Sequence, residues 1–220
     1  MVFVNDESVV IIGLGYVGLP LAYEAQMAGL EVTGFDVAHE VVRGLESGSS
    51  HVDDISDAQV QEMVESGFKA TSDPTVIGTA DVVVVCVPTP LSVNGGPDLS
   101  YVEHSAGVIA QHLRAGHLII LESTTYPGTT EEVMIPSLET SGFKARVDFH
   151  VAFSPERIDP GNHSFGIANT PKVVGGVNQE STSRAAQFYE RFVKEVVPAK
   201  GPREAELAKL IENTYRHVNI

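Results

Sequence analysis

The sequence predicts an α/β fold: a doubly wound parallel sheet followed by the start of a long connecting helix. Three observations predict it. Short, uninterrupted runs of β-branched and other apolar residues recur along the chain, the clearest being Asp81–Val87 (Asp-Val-Val-Val-Val-Cys-Val). Segments with helical spacing of apolar residues separate these runs, and a glycine-rich turn joins the first run to the first helix. Runs without alternation suit strands buried on both sides, as in a parallel sheet covered by helices.

In chain order, Ser8–Ile12 is expected as a strand and Tyr16–Ala28 as a helix. Glu31–Phe35 is a second strand, followed by a helix near Ala38–Ser47. Further strands are expected at Phe68–Thr71, Asp81–Val87, His117–Glu122 and His150–Ser154, with a helix over Leu99–Leu113. Gly201-Pro202-Arg203-Glu204 reads as a helix start, because Pro is tolerated in the first turn. Leu207, Leu210, Ile211 and Val218 then recur at helical spacing up to Ile220. A pattern that ends in mid-course leads to the expectation that the chain was cut there. The expected organisation is therefore a dinucleotide-binding unit over 1–200 and the beginning of a connecting helix over 201–220.

With 43% hydrophobic and 20% charged residues, the 220-residue chain can bury a substantial core. Its net charge of −15 argues against a nucleic-acid partner, and any phosphate-bearing ligand must be held by local donors. An adaptation of the source to salt is the alternative reading of that acidity. The single cysteine, Cys86, excludes an internal disulfide. No apolar stretch is long enough to span a bilayer, and Met1–Glu7 shows no secretory signal, so a cytoplasmic location is expected. The eight histidines form neither H-E-x-x-H nor a Cys/His cluster, so no metal is expected.

Gly13-Leu14-Gly15-Tyr16-Val17-Gly18 fits G-x-G-x-x-G, between a strand and a helix. Gly13 would allow the tight turn, Gly15 the approach of a pyrophosphate, and Gly18 close helix–strand packing. Asp36, at the end of the second strand, lies 23 residues past Gly13. A carboxylate there accepts two ribose hydroxyls and repels a 2′-phosphate, which favours NAD over NADP. A Rossmann arrangement is expected; a Gly-rich turn in a sheet that binds something else is the alternative. Three loops, Pro88–Asp98, Ser123–Thr130 and Pro155–His163, each follow a strand's carboxyl end, where open α/β sheets bind ligands; simple connectors are the alternative reading.

Five motifs then occur in order: Gly13–Pro20, Cys86–Leu91, Glu122–Thr130, Ser154–Arg157 and Lys209–Thr214. Together the chain resembles the UDP-glucose/GDP-mannose dehydrogenase family, and Ser154–Arg157 with Thr170–Gly176 resembles its UDP-N-acetylhexosamine branch. The resemblance implies oxidation of a sugar C6 alcohol to a carboxylate with two equivalents of NAD. It implies cofactor contacts at Gly13, Gly15, Tyr16, Val17, Gly18, Asp36, Pro88, Thr89 and Thr124. Thr124 and Glu156 would hold an active-site water, while Lys209 and Asn213 would stabilise an oxyanion. Glu156, Arg157, Lys209, Asn213 and Arg216 are the candidate substrate contacts. Lys209, Asn213 and Arg216 share one helical face at i, i+4 and i+7, which suits a clamp of donors. The rival readings are a solvated polar stripe and a structural Glu–Arg pair.

Ile158-Asp159-Pro160-Gly161 departs from the glucose branch, so that branch's second carboxylate is unassigned here. The family nucleophile is a Cys of the carboxyl-terminal half. Cys86 is not that residue and reads as a small buried hydrophobe. The chain is accordingly expected to bind NAD without turnover, while the full-length protein is expected to be a homo-oligomer acting on a UDP-sugar. A stand-alone NAD-binding module serving as sensor or assembly partner is the alternative from another class. A 3-hydroxyacid-type dehydrogenase also pairs Lys and Asn on a helix, but leaves the Thr124 and Glu156 loops unexplained.

Overall fold

A computed structural model describes residues 7–92, 95–157 and 166–220. Its strands are β1 Ser8–Ile12, β2 Glu31–Phe35, β3 Lys69–Thr71, β4 Val82–Val85, β5 Leu118–Leu121, β6 His150–Phe153, β7 Lys172–Gly176 and β8 Val196–Pro198. They form an eight-stranded sheet in the order β3-β2-β1-β4-β5-β6-β7-β8. The helices are α1 Gly18–Met27, α2 His39–Glu46, α3 Asp57–Glu65, α4 Ser100–His112, α5 Ile135–Leu138, α6 Gln179–Tyr189 and α7 Pro202–Asn219.

Alternation along each strand divides the core between the two faces. Val9, Ile11, Val82, Val84, Leu118 and Ile120 pack with Leu19, Leu21 and Ala25 of α1, Met63 of α3 and Phe188 of α6. Val10, Ile12, Val83, Val85, Ile119 and Leu121 pack on the other side with Val102 and Ile109 of α4 and Leu138 of α5. Every residue of β4 and β5 is buried, as expected of strands covered twice. The doubly wound α/β class thus stands.

The expected parallel sheet needs one correction: β6 and β7 pair antiparallel, while every other pair is parallel. A parallel return requires a crossover, usually a helix. Among the described residues between Phe153 and Lys172 there is no helix, and the chain doubles back. Five elements were not anticipated, among them the four-residue α5. α3 carries a capping box in which Ser56 and Gln59 satisfy each other's backbone N–H groups. α6 begins at the cap Asn178 and opens with Gln-Glu-Ser-Thr-Ser, too polar to read as periodic. β7 ends in two glycines, and β8 has only three residues.

Those glycines let α7 approach. A Cβ on Gly175 would sit 2.1 Å from the carbonyl oxygen of Gly201 and 3.1 Å from Ala205 Cβ. α7 opens at Gly201 with Pro202 in its first turn, as expected. Its polarity is the reverse of a surface helix. Pro202, Ala205 and Glu206 are buried, whereas Leu207, Leu210, Ile211, Tyr215 and Val218 are exposed.

Candidate active site

A cleft of about 550 Å³ opens at the carboxyl ends of the strands. In sheet order it is lined by Phe35 at the end of β2 and Asp36 after it, Gly13, Gly15, Tyr16 and Val17 after β1, and Cys86–Thr89 after β4. Glu122, Ser123 and Thr124 after β5 and Glu156 after β6 complete that wall. The cleft centres on β1 and β4, where the winding of the sheet reverses and α/β proteins bind ligands.

The glycine turn is built by close contacts. Gly13 has φ +87°, and a Cβ there would lie 2.8 Å from Cys86 O. A Cβ on Gly18 would fall 1.8 Å from Gly13 O, so Gly18 sits beneath the turn and outside the cleft lining. A Cβ on Gly15 would meet no atom within 4 Å; the backbone there faces open space. The N-cap of α1, Val17, supplies no side-chain cap, which leaves the helix amino terminus suited to an anion. Asp36 is oriented by two backbone donors: Leu14 N–H to Oδ2 at 2.8 Å and Ala38 N–H to Oδ1 at 2.9 Å. Each oxygen keeps lone-pair capacity for a hydroxyl.

The middle of the cleft is pinned across β4 and β5. Thr89 Oγ1 donates to Thr124 O, and Ser123 Oγ donates to Val87 O at 2.8 Å. Thr124 is exposed to the cleft.

α7 closes one end. Its buried Glu206 accepts from Gly128 N–H at 2.6 Å, Thr130 N–H at 2.9 Å and Thr130 Oγ1 at 2.7 Å. One turn on, Lys209 Nζ donates to the backbone carbonyl of Glu156. Burial lowers the Lys209 pKa, opposed by the carboxylates of Glu156 and Glu212. Arg157 forms a bidentate pair with Glu212 of α7, at 2.9 and 3.0 Å, and donates to Pro171 O. Its ionic partner is thus Glu212. Asn213 is half-buried and Arg216 exposed, and neither lines the cleft. The structure therefore places Thr124 and Glu156 in the cleft lining, with Lys209 bonded to the Glu156 backbone but outside that lining, and leaves Asn213 and Arg216 further along α7. The stripe is not simply solvated, because Lys209 points inward. The remainder of the Pro155–His163 loop, including Ile158–Gly161, lies outside the described residues, as do Val93 and Asn94.

The pattern described as "UDP-glucose/GDP-mannose dehydrogenase family, NAD binding domain" matches residues 7–193. The chain belongs to this family. Its cofactor is NAD. UDP-N-acetyl-D-mannosamine dehydrogenase of Pyrococcus horikoshii is 36% identical over 214 residues, covering 96% of this chain and 51% of that protein. UDP-N-acetyl-D-glucosamine 6-dehydrogenase of Pseudomonas aeruginosa is 36% identical, covering 98% of this chain and 51% of its own length. A solved structure of a UDP-D-ManNAc dehydrogenase from P. horikoshii superposes with a TM-score of 0.91 at 37% identity, over 97% of this chain and 51% of that one. The chain spans about half the length of the curated relatives it matches. Among the described residues, no helix is long and apolar enough to cross a membrane.

Several residues of the family member's cleft escape a reading by motif. Tyr101, His104, Ser105 and Val108 of α4 line it. They fall at i, i+3, i+4 and i+7, so one helical face following a Pro/Gly-rich loop was the available signal. Glu122 opens the Glu122–Thr130 motif without a role assigned to it, and it is 0% exposed at the cleft floor. Its Oε1 pairs with Lys172 of β7, and Tyr189 of α6 donates to its Oε2 at 2.5 Å. Burial is the main cause that lifts the Glu122 pKa to about 7, against the pull of Lys172. Burial also drives the Cys86 thiol pKa well above its ordinary value.

Proposed function

We propose that this chain is the NAD-binding part of a nucleotide-sugar 6-dehydrogenase that oxidises the C6 alcohol of a UDP-N-acetylhexosamine to a uronate. The names of the relatives, UDP-N-acetylmannosamine and UDP-N-acetylglucosamine dehydrogenases, support the substrate class. One observation carries the reading: Lys209 of α7 is bonded to Glu156, and Glu156 shares a single cleft with the glycine turn and Asp36.

NAD, when bound, accepts the hydride. In this reading Asp36 takes the adenosine ribose, and the Gly13–Gly18 turn with the start of α1 takes the pyrophosphate. Tyr16, Val17, Pro88, Thr89 and Thr124 complete the cofactor contacts. Thr124 and Glu156 orient a water, and Glu156 is the base that takes its proton. Lys209 is a partly dehydrated ammonium, aimed at the developing oxyanion. Asn213 and Arg216 lie where a substrate extending along α7 would reach them. Arg157 is tied to Glu212, so its part is to hold α7 against the Glu156 segment as well as to meet substrate. Cys86 has no nucleophilic role, since its thiol is buried and held protonated. The cytoplasm and a homo-oligomeric full-length protein belong to the same reading; the exposed apolar side chains of α7 offer a surface for a partner subunit.

The test is titration calorimetry of the 220 residues with NAD and NADP, together with NADH formation by the full-length protein. Tight NAD binding, weak NADP binding and no turnover by the 220 residues are expected. Full-length protein that reduces no NAD with UDP-N-acetylmannosamine or UDP-N-acetylglucosamine would overturn the substrate assignment.

A further inference from the structure

The ionic group beneath the cleft has no part in the roles above. Glu122, Lys172 and Tyr189 are all buried, and the Lys172 ammonium lies 4.8 Å from the centre of the Tyr189 ring. β6 and β7 pair antiparallel through Ala152–Gly176 and Phe153–Gly175, and the Lys172 ammonium also feels the charge of Glu156 after β6. Burying such a pair rarely adds stability beyond what apolar side chains of similar volume provide. Its position suggests a ligand charge instead. With the ribose at Asp36 and the pyrophosphate at the start of α1, the other half of a dinucleotide extends over the ends of β4 and β5, above Glu122. That half carries a ring that is cationic in NAD⁺ and neutral in NADH.

We propose that Glu122, held by Lys172 and Tyr189, is the counter-charge of the bound nicotinamide, ionised beneath NAD⁺ and protonated beneath NADH. The inference rests on NAD as cofactor and is independent of the sugar. The groups facing Glu122 are Lys172 from β7, Tyr189 from α6, Glu156 after β6 and Cys86 after β4; Lys209 of α7 acts through Glu156 and Lys172. Lys172 stays charged, because the surrounding carboxylates outweigh its burial and raise its pKa. Burial keeps Tyr189 and Cys86 neutral. Glu122 titrates at about 7, so a cation above it favours loss of its proton and a neutral ring favours retention.

The experiment is calorimetry of the 220-residue chain with NAD⁺ and with NADH, in buffers of different ionisation enthalpy. NAD⁺ binding should tighten about three- to tenfold from about pH 6 to about pH 8 and release protons, by linkage. NADH binding should take protons up and weaken over the same range. The Glu122→Gln/Lys172→Met double variant removes acid and base together, so neither is left buried alone, and should flatten both profiles. Glu156→Gln should leave the difference between the cofactors in place. Parallel profiles for the two cofactors in the unaltered chain overturn the proposal, as does a difference that survives the double variant. A folded chain that binds neither cofactor overturns the proposal and the NAD assignment together.

Discussion

Asp36 holds Leu14 N–H and Ala38 N–H with its two oxygens, so its removal loosens the glycine turn as well as deleting a ribose acceptor. Asp36→Ala should weaken NAD binding about ten- to a hundredfold, the worth of hydrogen bonds to a charged group. It should also narrow the preference over NADP, both read by calorimetry. His117 offers a second test. It is fully buried, and burial, followed by the Arg114 charge, lowers its pKa to about 4. Its folded pKa lies below the unfolded one, so the unfolded chain takes up the proton first. The contribution is complete above about pH 6.5 and is lost as pH falls toward about 4, up to about 3 kcal/mol. Replacing His117 with Asn should remove that part of the acid sensitivity in urea unfolding. Asp36 was legible because a carboxylate after the second strand answers a glycine turn at a known spacing. Glu122 was not, because its partners Lys172 and Tyr189 lie 50 and 67 residues away, on elements the sequence barely marks.

At the scale of elements, α7 is the hinge of the functional reading, and Glu206 fixes it. Glu206→Ala leaves the buried N–H groups of Gly128 and Thr130 without their acceptor, at a cost of about 2–5 kcal/mol. Hydrogen exchange of α7 should quicken, and NAD binding should survive, because Asp36 and the glycine turn do not depend on α7. Loss of NAD binding in a folded variant would contradict that separation. β1 and β2 appear where their apolar runs place them, since strands covered on both faces announce themselves by composition alone. α6 and β7 do not. A helix opening on Gln-Glu-Ser-Thr-Ser buries Ser181 and Thr182 through local hydrogen bonds and small size, which leaves no apolar period to read. The apolar period of α7 was visible, but it faces outward, because periodicity reveals a face without revealing what covers it.

For the molecule as a whole, the net charge of −15 sets a long-range field that opposes an anionic dinucleotide. The association rate of NAD should therefore rise with ionic strength, the reverse of electrostatic steering, in a stopped-flow measurement across a salt series. Saturating NAD should also stabilise the fold, by about 2.7 kcal/mol at a hundredfold excess over Kd, in thermal melts. The doubly wound class was legible because strands and helices alternate. Strand direction at the far edge was not, since it depends on a connection rather than on any strand's own residues.

That reversed strand has a chemical result. In a wholly parallel sheet only strand exits reach the ligand edge, and each hands over whatever residue comes last. Because β7 runs backward beside β6, its entrance arrives there instead, bringing Lys172 to the same rim as Glu122 and Glu156. Had β7 followed its neighbours, the ammonium would emerge at the opposite rim, and two acidic side chains would share the floor with no cation between them.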